Sequence, residues 1–358
     1  MSQREVELIL NENGHSTSSF QHKYELGNLI AVGGMAEVYA AMDRRTNQPV
    51  IVKKILPELS EDKNFIRMFL EEAKILSRIH HPNVVEIVDF GRFGKTYYIV
   101  LEYIGGKNLR VLMDKVSRLK SRIPVPLAIH TVVKILKGLD YVHHQVLSAG
   151  ENENGKSSER KIIHRDISPD NVLISFSGDI KIIDFGIAKE SSDLGRTRTG
   201  MLKGKLGYIA PEQIFSSDFD ERVDLYSTGV ILYEMVTGQK LMNLDLTSSF
   251  RAEFKKYKAI APRKIDPKIP EMLEDIILKA IDRDPDYRYQ SAKEFQIDLI
   301  EFVDPENYKS IVRMDLAKYV GYVLSQETGT HAGNTQGRSR GSTQPSQGRI
   351  IAQNATAM

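Results

Sequence analysis

Between residues 24 and 104, apolar and polar positions alternate with the period of two that is typical of β-strands. A helical pattern interrupts this alternation at residues 62–79 and ends in the turn signal "HHPN". This part of the chain therefore predicts a small β-rich unit with one helix. Its strand-like runs are 24–32 (YELGNLIAV), 36–42 (AEVYAAM), 49–56 (PVIVKKIL), 84–91 (VVEIVDFG) and 96–104 (TYYIVLEYI).

After residue 105 the pattern changes to the spacing of helices. The strongest signal lies in 127–144, where the apolar positions 128, 129, 132, 133, 135, 136, 139 and 142 form the stripe of a buried helix. Further helices are predicted at 221–237, 270–281 and 291–302. The fold class is therefore α+β, with a small β-rich lobe followed by a larger, mainly helical lobe.

Three segments lack either period. Residues 148–160 (SAGENENGKSSER) are polar and contain glycine, so we expect a surface loop there. Residues 1–23 are polar and irregular, and 326–358 have low complexity, so both are predicted to be disordered. Residues 305–325 are predicted to form a helical extension between the second lobe and the tail.

Composition narrows the classes of function. The 358 residues are 41% hydrophobic and 27% charged, and the formal net charge of +2 gives no field that favours nucleic acid or an anionic membrane. The chain has no cysteine, which excludes thiol catalysis and thiolate metal sites. The N-terminus lacks the pattern of a signal peptide, and the longest apolar run, 223–238, is too short to cross a bilayer. We expect a soluble cytoplasmic protein without a membrane span or a nucleic-acid partner.

A lysine and a glutamate in the first lobe are predicted to form a pair. Alternation along the third strand places Ile51 and Lys53 on one face and Val52 and Lys54 on the other, so one lysine points inward. A buried ammonium needs an anionic partner. Glu72 shares an apolar helix face with Met68, Phe69, Leu76 and Ile79, so we expect it to be that partner.

The segment 161–174 (KIIHRDISPDNVLI) concentrates polar chemistry. A proline directly after "HRDIS" is incompatible with a central strand or a helix interior, so this stretch is predicted to be a loop between short strands. Asp166 is suited to accept a proton from a hydroxyl, and Asn171 has an amide oxygen suited to a hard cation. Asp184 follows the next strand and is a second candidate magnesium ligand.

These pieces occur in the order of a known signature. Gly33-Gly34, Lys53, Glu72, His164-Arg165-Asp166, Asn171, Asp184-Phe185-Gly186 and Ala210-Pro211-Glu212 resemble the motifs of the eukaryotic-type (Hanks-type) protein kinases. The resemblance covers residues 24–304 and is greatest to bacterial serine/threonine kinases of proteobacterial and myxobacterial type. It implies a protein kinase fold with an N-lobe at 24–104 and a C-lobe at 105–304.

The resemblance implies roles for individual residues in binding ATP with Mg²⁺ or Mn²⁺. Lys53 would hold the α- and β-phosphates while paired with Glu72, Asp166 would be the catalytic base, and Asn171 and Asp184 would bind the metal. Leu101 would be the gatekeeper, and Glu102 to Ile104 the hinge that binds adenine. The other residues implied in nucleotide binding are Ile30, Ala31, Val32, Gly33, Gly34 and Val38.

The same resemblance implies structural and regulatory roles. Glu212 and Arg288 would form an ion pair that anchors the C-lobe, and Asp224 would support the catalytic loop. The activation segment 184–212 contains Thr197 and Thr199 between arginines, so we expect autophosphorylation there, with Ser191 and Ser192 as weaker acceptors. Arg165 would bind the resulting phosphate. Protein substrates with serine or threonine acceptors are implied as partners, together with self-association for trans-autophosphorylation.

Five positions depart from the signature. Ala31 and Ala36 replace glycines of the phosphate loop, and Ile51 stands where an alanine usually packs on adenine, so the adenine slot is expected to be narrowed or its strand shifted. Ser168 replaces a lysine that neutralises the transferred phosphoryl group, and Lys205 replaces a threonine that contacts that lysine. We hypothesise that the Lys205 ammonium substitutes for the missing cation; a solvated loop lysine is the alternative.

Two rival functions remain open at this stage. A nucleotide-binding pseudokinase that acts as a signalling scaffold would explain Ala31, Ile51 and Ser168, although the five central polar residues of the signature are present. A small-molecule phosphotransferase of similar fold is disfavoured by the long activation segment and by the "APE" motif at 210–212. The leading interpretation is a serine/threonine protein kinase that is activated by autophosphorylation in 184–212.

Overall fold

The computed structural model describes residues 20–151, 157–185, 206–216, 218–242, 250–303 and 313–326. Two lobes of different composition are visible, as the hydrophobic pattern predicts: an antiparallel sheet with one long helix, and a mainly helical lobe. None of the described helices combines the length and the apolar composition needed to cross a lipid bilayer.

The N-lobe is built around a five-stranded antiparallel sheet in the order β1-β2-β3-β5-β4. All five strands predicted from the alternation are present. A short helix, α1 (Phe20–Lys23), leads directly into the first strand. The strands are β1 (Tyr24–Val32), β2 (Ala36–Asp43), β3 (Gln48–Ile55), β4 (Ile87–Phe93) and β5 (Thr96–Glu102).

The side chains of β3 alternate between two environments. Val50 and Val52 pack into a cluster with Phe20, Tyr98 and Val100 on one face of the sheet. Ile51 and Lys53 therefore project from the opposite face. The alternation of these residues is confirmed, and it directs Lys53 towards the junction between the lobes.

The N-lobe helix α2 spans Lys63–Leu76. Asp62 caps its start because its Oδ1 accepts hydrogen bonds from the amides of Asn64 at 2.9 Å and Phe65 at 3.1 Å. The helix ends three residues before the predicted boundary at 79. Residues 77–79 instead form tighter turns, in which the Ile79 amide bonds to the carbonyl of Leu76 at 3.0 Å.

The C-lobe surrounds two helices that carry its core. The helices are α3 (Leu109–Arg118), α4 (Val125–His143), α5 (Pro211–Phe215), α6 (Arg222–Thr237), α7 (Phe250–Lys256), α8 (Pro262–Ile265), α9 (Glu271–Ala280), α10 (Ala292–Val303) and α11 (Arg313–Ser325), and a short strand, β6 (Gly106–Asn108), precedes them. Helix α4 buries all eight apolar positions of its predicted stripe, none of which has measurable exposure. Helix α6 is buried over nearly its whole length, and its Asp224 contacts the backbone of residues 164 and 165.

The prediction of a loop at 148–160 is wrong in part. Strands β7 (Val146–Glu151) and β8 (Ser157–Lys161) pair antiparallel from Val146 opposite Lys161 to Glu151 opposite Ser157. These strands pair through backbone hydrogen bonds, which impose no pattern of apolar residues, so the polar sequence here gave no strand prediction. Residues 152–156 lie outside the described part of the chain.

The final helix, α11, falls within the predicted extension 305–325. Leu316, Val320 and Val323 are buried in the same core as the rest of the C-lobe. Residues 1–19 and 327–358 lie outside the described residues, so the predicted disorder of both ends stays a prediction, as do the domain boundaries drawn from the sequence.

Candidate active site

The loop that follows Ile163 is held in place by one buried carboxylate. Asp224 of α6 accepts hydrogen bonds from the backbone amides of His164 and Arg165, each at 2.8 Å. Its Oδ2 also lies 2.9 Å from Nε2 of His143 at the end of α4. Asp224 has no exposed surface, and Arg165 is held with φ at +64°, in the left-handed region that few residues with a Cβ adopt. The predicted support of the loop by Asp224 agrees with this geometry.

Electrostatics keep this anchor charged. Burial alone would raise the pKa of Asp224, but the hydrogen bond from His143 and the amide of His164 outweigh it, so the pKa is lowered. His164 is also fully buried, and burial lowers the pKa of its ring. The neutral His164 imidazole lies 3.0 Å from the Ile183 carbonyl oxygen through Nε2 and packs on Phe185 at 4.4 Å between ring centroids.

Asp166, the predicted base, lies beside the predicted metal ligand Asn171. The amide nitrogen of Asn171 donates to the carbonyl oxygen of Asp166 at 2.8 Å and to its carboxylate at 2.9 Å. These two bonds fix the orientation of both side chains. They also turn the Asn171 amide oxygen away from Asp166, which is the orientation required of a cation ligand.

A strand pair brings Asn171 next to Asp184. Strands β9 (Val172–Ser175) and β10 (Ile180–Ile182) are antiparallel, with Val172 opposite Ile182. Asn171 and Asp184 therefore lie at the same end of this hairpin, and the Ile183 amide donates to the Asn171 carbonyl at 2.9 Å. An amide oxygen and a carboxylate are the hard oxygen ligands that suit Mg²⁺, so this donor set fits the metal that the sequence implies.

Lys53 reaches the same place from the N-lobe. Its Nζ donates to Asp184 Oδ1 at 2.8 Å, and Asp184 has φ at +57°. The next residue, Phe185, is buried in the core that joins α2 to the C-lobe, which turns Asp184 outward towards the cleft. The side chain of Glu72 lies outside the described residues, so its pairing with Lys53 stays a prediction.

The hairpin between β1 and β2 forms the roof of the cleft. The Gly33 amide donates to the Ala36 carbonyl at 2.8 Å and closes a tight turn around Gly33 and Gly34. Beside it, Ala31 pairs with Val38, and Val38 pairs in turn with Lys53 on the next strand. Ile30, Ala31 and Val38 are half-buried, whereas Val32 is 59% exposed. The residues implied in nucleotide binding thus lie on strands adjoining Lys53.

Ile51 and the predicted hinge residues, Glu102 to Ile104, line the rest of the cleft. Ile51 is 5% exposed and lies opposite Leu101 in the sheet, on the face that carries Lys53. Ile104 is buried against Leu173 and Val85, with Leu101 packed beside them. Leu173 could not be selected from the sequence, because one apolar residue in a short buried strand has no distinguishing pattern.

The side chain of Glu102, a predicted hinge residue, has structural partners. Its Oε1 accepts from Lys181 Nζ at 2.5 Å and from the Glu86 amide at 2.8 Å. These bonds tie the hinge to β10, which leads to Asp184. Glu102 thus connects the end of the N-lobe sheet with the strand that positions the candidate metal ligand.

The predicted ion pair of the C-lobe is present. Arg288 has no exposed side-chain surface, and its guanidinium binds both carboxylate oxygens of Glu212, at 2.6 and 2.8 Å. This bidentate arrangement anchors α5, which directly follows the activation segment. Gln213, also on α5, donates through Nε2 to the Arg165 carbonyl at 3.3 Å and so connects α5 to the catalytic loop.

Two further polar contacts were not anticipated from the sequence. The paired histidines at the end of α4 have different partners: His144 bonds to the carbonyl of Asp140 at 2.6 Å, whereas His143 is buried against Asp224. In addition, Arg110 of α3 binds Glu234 of α6 at 2.8 Å, and Tyr208 contacts both residues. Only the fold brings such distant positions together.

Several predicted residues cannot be placed. Gly186, Ser191, Ser192, Thr197, Thr199 and Lys205 lie outside the described residues. Ser168, by contrast, is described: it is 1% exposed, and its hydroxyl has no hydrogen-bond partner among the described residues. An orphaned buried hydroxyl in the catalytic loop is consistent with a contact from outside this part of the chain.

Comparison with known proteins establishes the family. The protein kinase domain matches residues 24–299, and the chain belongs to the protein kinase family. The expected resemblance to bacterial serine/threonine kinases and the expected two-lobed kinase fold are both confirmed.

Individual relatives support the same assignment. The chain is 35% identical over 280 residues to the tyrosine-protein kinase MasK of Myxococcus xanthus, an alignment that spans 76% of this chain and 42% of that protein. It is 37% identical over 278 residues to the probable serine/threonine-protein kinase CPE1738 of Clostridium perfringens, spanning 78% and 38%. The chain thus spans about two-fifths of the length of these curated relatives.

Solved structures show the same fold. The PknI kinase domain of Mycobacterium tuberculosis superposes with a TM-score of 0.57 at 23% identity, covering 79% of this chain and 96% of that one.

Proposed function

We propose that this protein transfers the γ-phosphoryl group of ATP to serine or threonine hydroxyls of proteins. The observation that carries the proposal is the connected set of Lys53, Asp184, Asn171 and Asp166, which joins both lobes across one cleft. A cation, two metal ligands and a base in this order are what phosphoryl transfer to a hydroxyl requires. Membership of the protein kinase family supports the same proposal.

The proposed reaction makes modest chemical demands on the protein. Asp166 orients the acceptor hydroxyl and takes its proton as the oxygen bonds to the γ-phosphorus and the bond to the β-phosphate oxygen of ADP breaks. Lys53 holds the α- and β-phosphates, and the glycine hairpin covers them. Mg²⁺, when bound by Asn171 and Asp184, neutralises charge on the phosphates. Positioning and electrostatic stabilisation therefore supply most of the acceleration.

Incubation with Mg²⁺ and labelled ATP tests the proposal. We expect the wild type to phosphorylate itself and a general protein substrate on serine and threonine, with its own phosphates mapping to Thr197 or Thr199. A phosphate in that segment would bind near Arg165 and order the loop. Phosphoamino-acid analysis and fragment mass spectrometry provide the measurement. Label found only on tyrosine would contradict the proposed acceptor class, and ATP binding without transfer would favour a pseudokinase scaffold.

Lys205 is proposed as the cation that replaces the lysine missing at position 168. Leu206, the next described residue, is buried in the C-lobe core, and the following segment contacts the catalytic loop through the bond from Gln213 to Arg165. Lys205 directly precedes the anchored Leu206 in the sequence. The Ser168 hydroxyl, which has no hydrogen-bond partner among the described residues, would give the Lys205 side chain a polar contact.

Substitution of Lys205 separates this role from that of a solvated surface lysine. We expect Lys205→Ala and Lys205→Met each to lower kcat by about two orders of magnitude, because a cation near the transferred group stabilises the transition state more than the ground state. The matched control is Lys240→Ala, at an exposed lysine beyond the end of α6. Steady-state kinetics that give equal rates for the Lys205 and Lys240 variants would refute the role.

The cellular setting is also proposed. A signalling kinase of the cytoplasm is consistent with the absence of a membrane-spanning helix from the described residues and with the kinase family. Transfer between two copies of the chain would explain phosphorylation of its own activation segment. A rate of autophosphorylation that rises with protein concentration would distinguish this transfer between copies from transfer within one copy.

A further inference from the structure

A basic pocket lies away from the cleft, where the end of α4 meets the turn before β4 and the start of α10. It has a volume of about 530 Å³ and is lined by His81, Lys137, Asp140, Tyr141, Lys293 and Gln296, among others. It shares no residue with the candidate active site. It is an open depression on the surface, and the side chain of Lys293 at its edge is exposed.

The charges of the basic pocket are unbalanced. Neither Lys137 nor Lys293 has an ion pair or a side-chain hydrogen bond within the described residues, and Lys134 lies one turn from Lys137 on α4. Asp140 is the acid that lines the pocket, and its carboxylate lies 3.7 Å from His144. Burial, Lys134 and Lys293 together lower the pKa of Lys137. The pKa of His130, on the same helix, is lowered to about 4 by burial and by Lys134 and Lys137.

His81 adds a hydrogen-bond donor to the lining of the pocket. Its Nδ1 accepts the backbone amide of Asn83 at 3.1 Å, so the neutral ring carries its hydrogen on Nε2. Burial, Lys137, Lys181 and Lys134 lower the pKa of His81, which keeps the ring neutral. The ring stacks on Tyr141 with 5.2 Å between centroids, so its plane is fixed.

The turn that carries His81 is packed closely against α4. A Cβ at Gly138 of α4 would lie 3.0 Å from the Asn83 carbonyl oxygen, so α4 and the 80–83 turn are in close contact. Asn83 in turn accepts the Ile182 amide at 2.9 Å and donates to the Ile180 carbonyl at 2.8 Å. The backbone that carries His81 and Lys137 is therefore held in place, whereas the Lys293 side chain is exposed.

We propose that the basic pocket binds a phosphate monoester, with Lys137 and Lys293 as its cationic ligands and His81 Nε2 as a hydrogen-bond donor. At neutral pH a phosphate monoester is nearly doubly charged and has three acceptor oxygens, so it can accept a charge-assisted hydrogen bond from each ammonium group although Asp140 offsets part of their charge. A monocarboxylate has one charge and fewer acceptor oxygens for the same donors. The volume leaves room for the organic group that carries the phosphate, whether a small metabolite or a phosphorylated side chain.

Calorimetric titration of the full chain tests the pocket, with the nucleotide site first saturated by magnesium and a non-hydrolysable ATP analogue. The probes are glucose 6-phosphate and N-acetylphosphoserine amide, with gluconate as a monoanion of similar skeleton. We expect saturable binding of at least one phosphate probe and much weaker binding of gluconate. Preference between the two phosphate probes identifies the source of the phosphate. Equal binding of gluconate, or no saturable binding of either phosphate probe, overturns the proposal.

Variants assign the binding to this pocket. Lys137→Gln and Lys293→Gln should each weaken binding about tenfold or more, since each removes a charge-assisted hydrogen bond. The matched control, Lys268→Gln at an exposed lysine before α9, should leave the affinity unchanged. Lys137→Gln should unfold at the same temperature as the wild type or a higher one, because it relieves repulsion among lysines. Undiminished binding in both pocket variants would place the phosphate elsewhere and refute the proposal.

Discussion

Asparagine at position 166 is expected to abolish measurable phosphoryl transfer while leaving the protein folded. The substitution removes the carboxylate that we propose as the base for the acceptor hydroxyl, and loss of a positioned base lowers rates by about 10²–10⁴-fold. The fold should persist because the Asn171 amide can still donate to an amide oxygen at position 166, as it now donates to the carboxylate at 2.9 Å. Transfer of labelled phosphate to a protein substrate, with circular dichroism of the same sample, provides the measurement.

A control for this result lies four residues along the chain. Asp170 is half-buried in the same loop, and its side chain has no hydrogen bond or ion pair among the described residues. Asp170→Asn makes the same change in charge and should retain most of the activity. Wild-type rates for Asp166→Asn would contradict the role of Asp166 as base, whereas equal losses for both variants would indicate a general sensitivity of the loop to charge.

The substitution Asp224→Ala is expected to destabilise the whole C-lobe and to lower the rate of phosphoryl transfer. It leaves the amides of His164 and Arg165, together with His143, without their acceptor in a region that excludes water. Removal of one partner from a buried charged network costs about 3–5 kcal/mol. Denaturant unfolding followed by circular dichroism measures the loss. Asp218→Asn, at an exposed aspartate shortly before α6, is the control and should unfold like the wild type.

The pH dependence of stability provides an independent check on Asp224. Folding lowers the pKa of this carboxyl below its ordinary value of 3.8, so the unfolded chain binds its proton more readily. The stabilisation from Asp224 is therefore complete above that pH and is lost as the pH falls through the lower pKa of the folded state. The difference in unfolding free energy between the wild type and Asp224→Ala should shrink on acidification below pH 3.8. A difference that stays constant there would show that the carboxylate charge is not what matters.

Local sequence patterns predicted the strands and helices whose apolar residues repeat with a single period. The five strands of the N-lobe and the stripe of α4 follow from residues that face a single core, so their spacing alone identifies them. The hairpin at 146–161 was missed because its strands pair through backbone hydrogen bonds, which do not require alternating apolar residues. The end of α2 at Leu76 was predicted three residues too late, since apolar spacing continues into the turn that follows.

The residues of the candidate site also fall into those that a local pattern could predict and those that it could not. Asp166, Asn171 and Asp184 could be selected because each polar residue stands at an unusual place beside an apolar strand. The role of His143 could not be selected, since its partner Asp224 lies 81 positions further along the chain. Leu173 packs against Ile104, and Gln213 donates to the Arg165 carbonyl. Both partners are distant in the sequence, so neither contact could be predicted from it.

Ile51 has a consequence for inhibitor chemistry. In the proposed nucleotide site its branched side chain, 5% exposed and opposite Leu101, occupies space that an alanine would leave open. Flat heterocycles optimised on kinases with alanine at this position would meet extra carbon atoms above the ring plane. Compounds selective for this protein would need a thinner or more flexible ring system, and those compounds would in turn bind loosely to the alanine-containing kinases.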